Sequence, residues 1–225
     1  MHIGVIPDGN RRFMKKKGIA SLGKSYDLGI NKFYDFLDWC IEFKVDEITL
    51  YALSIENLEN RGMLEIKTLL MVFSEHAKKM LVDERMHKNK VQVRITGDRE
   101  LLIKKGGRKA LENLEELEEA TKDYDKFIVN LAVAYGGRQE ILNAVKKIAE
   151  EGEEINEKNI KKNLWVKDYP DIIIRTSEKR LSNFLTWQSA YSEIYFIDKL
   201  WQEFEKNDLK IILSDFKSRE RRFGK

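Results

Sequence analysis

Short apolar runs alternate along the chain with longer stretches in which apolar residues recur every three or four positions. Six of the short runs predict strands: "HIGVI" (2–6), "EITLYAL" (47–53), "VQVRIT" (91–96), "FIVNLAVAY" (127–135), "DIIIRT" (171–176) and "EIYFI" (193–197). Their β-branched residues suit a pleated, buried surface. The stretches between them predict helices. Residues 25–43 carry Leu28, Phe33, Phe36, Leu37 and Cys40 on a helical period, and 64–82, 107–122, 138–151 and 208–222 continue the pattern. Strand–helix alternation with apolar strands predicts an α/β fold: a central, mostly parallel six-stranded sheet flanked by helices. Only Pro7 and Pro170 interrupt the chain and no Ser/Gly-rich linker divides it, so residues 1–225 read as a single domain.

In such sheets ligands bind outside the carboxyl ends of the strands. Four predicted strands run into polar or Gly-containing turns: "PDGNRR", "SIENLENR", "GGRQE" and "SEKRLSNF". Convergence of these turns would gather Asp8, Asn10, Arg11, Arg12, Asn57, Arg138, Arg175, Arg180 and Ser182 on one rim. A rim with many fixed cations and few acids suits a polyanion accompanied by Mg2+.

Composition removes several other classes. Charged residues make up 35% of the chain, yet 41 Lys and Arg against 38 Asp and Glu leave a net charge of only +3. That is too little to predict a nucleic-acid partner. The basic tail "FKSRERRFGK" reads, on charge alone, as a solvated end. Cys40, the one cysteine, excludes an intrachain disulfide and sits in an apolar run that predicts a buried thiol. His2, His76 and His87 have no metal-ligand spacing. Neither a signal peptide nor an apolar run of 18 residues is seen, which predicts a cytoplasmic protein with at most a peripheral contact to a membrane surface.

One stretch offers a competing chemistry. "GIASLGKS" (18–25) fits the P-loop pattern of nucleotide triphosphatases. That loop works only where a strand leads directly into its first Gly and a helix follows, so that backbone N–H groups surround the phosphates. Here the nearest strand ends at Ile6 and the charged insert "DGNRRFMKKKG", itself a helical turn, intervenes. "IPDGNRRF" is the better anion site: Asp8 follows a strand directly, and Gly9 permits close approach of a ligand.

Taken in order, "HIGVIPDGNRRF", "LYALSIENL", "VRITGD", "AYGGRQEI", "RTSEKRLSNFLTWQSAYSEIYFIDKLWQEF" and "RRFG" resemble the successive motifs of the cis-prenyltransferases, the undecaprenyl diphosphate synthase family. The resemblance runs from His2 to Gly224. It implies a homodimeric α/β enzyme with an apolar substrate tunnel, which uses Mg2+ to condense an allylic prenyl diphosphate with isopentenyl diphosphate. It implies that Asp8 helps hold the Mg2+, that Gly9, Asn10, Arg11 and Arg12 cradle the allylic diphosphate, and that Asn57 lies near the reacting carbons. Arg175, Arg180 and Ser182 are implied to hold isopentenyl diphosphate. Glu193 would assist the metal across the dimer, and Arg222 and Gly224 would reach the partner's isopentenyl diphosphate site.

The chain departs from that pattern in three places. Gly23-Lys24 stands where the family has Gly-His, in a loop one residue short that lacks the family's Arg; Lys24 is expected to supply part of the missing charge. "RTSEKR" lacks the Gly that the family carries before the Glu, which shortens the Arg175-to-Arg180 spacing by one. Leu58 replaces a common aromatic residue. These changes leave open a different acceptor, an alcohol or a second prenyl diphosphate. Retention of Asp8 and Glu193 argues against a non-catalytic subunit.

Overall fold

A computed structural model describes residues 1–219. In chain order the elements are β1 (His2–Ile6), α1 (Asn10–Lys16), α2 (Leu22–Glu42), β2 (Glu47–Ser54), α3 (Ile55–Asn60), α4 (Met63–Leu81), α5 (Glu84–Lys88) and β3 (Val91–Thr96). They continue with α6 (Arg99–Lys104), α7 (Arg108–Thr121), β4 (Phe127–Tyr135), α8 (Gly137–Glu150), α9 (Glu157–Asn163), β5 (Ile172–Thr176), β6 (Glu193–Ile197) and α10 (Lys206–Ser218). All six predicted strands form. The sheet runs β3-β4-β2-β1-β5-β6, and every pairing is parallel. The expectation of a mostly parallel sheet is met in full.

Alternation along the strands divides the core. Ile3, Val5, Leu50, Leu131, Ile172 and Ile174 face one side, where they meet Phe33, Phe36 and Leu37 of α2, Leu69 of α4 and Leu114 of α7. Ile6, Tyr51, Ala132 and Ile173 face the other, against Val166, Phe184 and Leu185. A third, smaller cluster joins α8 to α9 through Ala144, Ile148, Ile160 and Leu164. Both faces are therefore covered, as a parallel sheet requires.

The long helices fall close to their predicted positions. α2 starts three residues earlier than expected because the Ser21 hydroxyl caps it, accepting from the Lys24 amide at 3.1 Å. Four short helices were not expected: α3, α5, α6 and α9. Each is too short to display a helical period, yet each opens on a side-chain cap, from Ser54, Asp83, Asp98 and Asn156 in turn. No helix among the described residues is long and apolar enough to cross a membrane.

Candidate active site

β1 delivers Asp8 to the carboxyl end of the sheet, and β5 delivers Thr176 beside it. The Thr176 hydroxyl accepts from the Asp8 amide at 2.9 Å and donates to the Asp8 carbonyl at 2.8 Å. One side chain thus fixes the backbone of the turn. Gly9 follows at φ 111°, a conformation disfavoured for side-chain-bearing residues; a Cβ there would lie 2.9 Å from Leu200 Cδ2. α1 starts at the next residue, so the chain goes from strand to helix within a single tight turn.

Asp8 stands among arginines. Arg175 is only 3% exposed and donates to Asp8 Oδ2 at 2.9 Å, to Ser182 Oγ at 2.7 Å, and to the Arg180 carbonyl. Arg12 reaches Asp8 Oδ1 at 3.4 Å from the other side. The Gly9 amide donates to the same Oδ1 at 2.6 Å. The loop carrying Arg180 and Ser182 holds several non-Gly residues in the left-handed region: Ser177 (φ 73°), Ser182 (φ 50°), Asn183 (φ 64°) and Leu185 (φ 45°). Such conformations cost about 1–3 kcal/mol each and persist only where surroundings enforce them. Here Ser177 donates its amide to the Ile197 carbonyl at 2.7 Å, and Tyr51 caps the Ser182 carbonyl through its hydroxyl at 3.2 Å.

These groups line a cavity of about 650 Å³. Its rim holds Asp8, Gly9, Asn10, Arg11, Arg12, Asn57, Arg175, Arg180 and Ser182, so most of the residues expected from the sequence do converge. Its depth is apolar, with Ile30 and Phe33 of α2, Leu69 and Phe73 of α4, and Leu50 and Ala52 of β2. A further apolar space of about 50 Å³ lies behind Phe33 and Phe73 and reaches Met80, Leu114 and Leu131. Close packing of α1 on α2 shapes the wall. Ser25 Oγ donates to the Asn10 carbonyl at 2.8 Å, and Trp201 Nε1 donates to the Gly29 carbonyl at 2.8 Å.

Arg61 and Tyr26 are among the rim residues that were not singled out from the sequence. Arg61, the residue that follows α3 and lies four after Asn57, donates to the Tyr26 hydroxyl at 2.8 Å and lies 3.3 Å from Glu65. Tyr26 in turn donates to Glu65 at 2.7 Å, and burial pushes its phenol well above the usual range. Arg61 and Tyr26 both face the cavity, so among the described residues the rim holds five guanidinium groups against the carboxylates of Asp8 and Glu56. The signal for Arg61 was present in "SIENLENR": one helical turn brings positions 57 and 61 to the same face.

The other expected residues fall elsewhere. Lys24 does not line the cavity; its side chain is 62% exposed and its ammonium sits 4.0 Å from Asp27. The expected part in binding the donor diphosphate is not apparent in this geometry, because Lys24 lies in the first turn of α2 and is directed to Asp27. The same placement bears on the P-loop pattern. Gly23, Lys24 and Ser25 are already helical, and the Ser25 hydroxyl is spent on Asn10. Arg138 is also absent from the lining, although its amide donates to Asn183 at 2.9 Å. Glu193 opens β6 level with Ile172 and Ile3, at the opposite end of the sheet from Asp8, and pairs with Arg219 at 2.7 Å. Within one chain Asp8 and Glu193 do not meet. Arg222 and Gly224 lie outside the described residues.

A ligand that satisfies this cavity is anionic at one end and hydrocarbon at the other, which is the form of a prenyl diphosphate; the class so defined is the prenyltransferases. Comparison with known proteins agrees. The prenyltransferase family described as undecaprenyl diphosphate synthase matches residues 6–224. The chain is 45% identical over 234 residues to the tritrans,polycis-undecaprenyl-diphosphate synthase (geranylgeranyl-diphosphate specific) of Methanopyrus kandleri, covering 100% of this chain and 84% of that protein. It is 38% identical to an isoprenyl transferase of Thermus thermophilus, with 100% and 88% covered. Among solved structures, a probable undecaprenyl diphosphate synthase from Campylobacter jejuni superposes with a TM-score of 0.82 at 34% identity, covering 100% of this chain and 98% of that one. Lavandulyl diphosphate synthase from Lavandula x intermedia, in complex with dimethylallyl diphosphate, superposes with a TM-score of 0.90 at 28% identity, again with 100% and 98% covered. The chain belongs to the cis-prenyltransferase family and is a prenyltransferase.

Proposed function

We propose that the chain condenses an allylic prenyl diphosphate with isopentenyl diphosphate, releasing pyrophosphate and extending the donor as a cis-polyprenyl diphosphate. The observation that carries this reading is the polarity of the cavity: five guanidinium groups at the rim among the described residues, and an apolar depth between α2, α4 and β2. The two curated relatives at 45% and 41% identity are named as geranylgeranyl-diphosphate specific, which favours a C20 donor.

The rim residues divide the work. The donor diphosphate lies at the Asp8–Arg12 turn, where the α1 backbone and Arg11 and Arg12 balance its charge. Its hydrocarbon tail extends past Phe33 and Phe73, where the apolar wall keeps water from the reacting carbons. Arg175, Arg180 and Ser182 hold the isopentenyl diphosphate, and Asn57 faces the space between. The Asp8 carboxylate, partly exposed and beside both diphosphate positions, fits Mg2+, which favours one or two protein carboxylates completed by substrate phosphates. When bound, the metal would neutralise the leaving pyrophosphate. A site shared between Asp8 and substrate phosphates needs no cluster of three or more metal-ligating side chains, and none is present among the described residues.

A homodimer is part of the proposal. β6 is an edge strand whose Ile194 and Phe196 are 39% and 37% exposed. A second chain on that edge would cover them, and would offer its own Glu193 to the Asp8 end. The long product would pass from the cytoplasm to a membrane surface.

A donor–acceptor matrix tests the reading. Purified protein with Mg2+ is incubated with donors from C5 to C25 and labelled isopentenyl diphosphate, and products are resolved by chain length. Elongated cis products are expected, most rapidly from the C20 donor. Product from an alcohol or a second prenyl diphosphate, with none from isopentenyl diphosphate, would replace this acceptor with the other.

A further inference from the structure

We propose that Glu178 is a placeholder anion: its carboxylate spans Arg12 and Arg180 before a ligand arrives, and a diphosphate must displace it to bind. Glu178 Oε1 lies 3.0 Å from Arg12 Nη1, and Glu178 Oε2 accepts from Arg180 Nη1 at 2.8 Å. One carboxylate thus gives one oxygen to each of two guanidinium groups that come from different elements, α1 and the 177–185 loop. Both arginines line the cavity, so a ligand there competes with Glu178 for their guanidinium groups.

The arginines of the site fall into two sorts. Arg175, with 4% of its side chain exposed, is fixed by Asp8 and Ser182. Arg12 and Arg180 are 47% and 63% exposed and would wander as long side chains do in water. Glu178, at 30% exposure, holds them together. The loop is built for this grip. Arg12 Nη1 also donates to the Ser177 carbonyl at 3.1 Å, and the Glu178 amide turns back to the Thr176 carbonyl at 2.9 Å. Ser177 adopts φ 73° at that turn.

This inference rests on the reading of the rim as a diphosphate site, and it adds a selection step. An incoming diphosphate brings more charge and more acceptor oxygens than the carboxylate it replaces, so the exchange favours it. A neutral acceptor gives the guanidinium groups nothing in return. Glu178 therefore keeps the two arginines aligned until a diphosphate binds and withholds them from weak ligands.

Titration calorimetry with inorganic pyrophosphate tests the step without requiring turnover. The full chain, Glu178→Gln and Glu178→Ala are compared, each without metal and then with Mg2+, with Arg180→Ala as the control that loses affinity. Replacing a charge-assisted contact by a neutral one should tighten pyrophosphate binding about fivefold in Glu178→Gln, and at least as much in Glu178→Ala. The KM for isopentenyl diphosphate should fall in parallel. Equal or weaker pyrophosphate binding in both folded variants would overturn the proposal, because a carboxylate that merely supports the loop, or serves the metal, shifts affinity in that direction. Absence of pyrophosphate binding in every protein would overturn it too. Tighter binding in the variants with no prenyl product in the donor–acceptor matrix would remove the functional reading and leave the placeholder standing.

Discussion

Removing the Asp8 carboxylate should injure the fold and the chemistry by different amounts, and the two can be separated. In Asp8→Ala the buried Arg175 guanidinium loses its carboxylate and keeps only Ser182 Oγ and the Arg180 carbonyl. Stripping one partner from a fully buried ion pair costs about 3–5 kcal/mol. Asp8 is not fully buried, with 34% of its side chain exposed, so water reaches its end of the pair. We expect the smaller cost of about 2 kcal/mol, which for a chain of this size lowers Tm by about 4–8 °C. Asp8→Asn keeps an oxygen for the Gly9 amide or for Arg175 and should lose about half as much. Turnover responds differently. Both variants lack the negative charge that would hold Mg2+ against the leaving group, and both should lose at least about a hundredfold in kcat at saturating Mg2+. The assay is a thermal melt beside a pyrophosphate-release rate for each variant. Pyrophosphate without metal should raise the Tm of Asp8→Ala more than that of the parent, because the anion then replaces the missing carboxylate on Arg175. A parent-like Tm and near-normal turnover in Asp8→Ala would refute both halves of the reasoning.

Arg61→Ala should weaken the allylic donor about tenfold, seen as a raised donor KM with the isopentenyl diphosphate KM little changed, since Arg61 joins the rim beside Tyr26 on the α2–α4 side. Glu47 gives a test at the other end of the sheet. It is 6% exposed, and burial, opposed by an Asn130 hydrogen bond and reinforced by the charge of Asp168, raises its carboxyl to about 7. A raised carboxyl stabilises the fold fully below its unfolded value near 4.5, and that contribution is lost as pH rises through about 7. Glu47→Gln should therefore melt higher than the parent at pH 8.5 and show less advantage at pH 5; a pH-independent difference would contradict the burial argument.

The sequence announced the fold because parallel strands buried on both faces are written as continuous apolar runs, and four of the six run boundaries, at β1, β3, β4 and β6, coincide with the observed strands. The short helices stayed hidden because one or two turns cannot show a period, although their caps at Ser54, Asp83, Asp98 and Asn156 were visible. Convergence of Asp8, Arg12, Arg175 and Arg180 followed from placing polar turns at strand ends. What could not be read was how the charges pair. Lys24 carries the same charge as Arg12, but one faces Asp27 in a helix turn and the other reaches Asp8 and Glu178. The Lys24–Asp27 and Asp8–Arg12 pairs are local, three and four residues apart, but the Arg12–Glu178 and Asp8–Arg175 pairs join distant segments, which no spacing along the chain encodes. That Ser177, beside Glu178, is held at positive φ was not legible either.

The strand order also sets an order in time. β1 precedes both of its neighbours along the chain and lies between them, β2 and β5, in the sheet. One of its edges therefore stays open during synthesis until Ile172 arrives to lie beside Ile3. Parallel pairing across so long a span is slow, because the intervening chain must be ordered before contacts reward it. An open, apolar edge is meanwhile a template for wrong pairing, so a nascent chain stalled before β5 should be a strong chaperone client. The closing event is the one that lays Arg175 against Asp8. A chain that has not completed its sheet lacks the part of the rim that Arg175, Arg180 and Ser182 supply, so its anion site is incomplete while it is still half made.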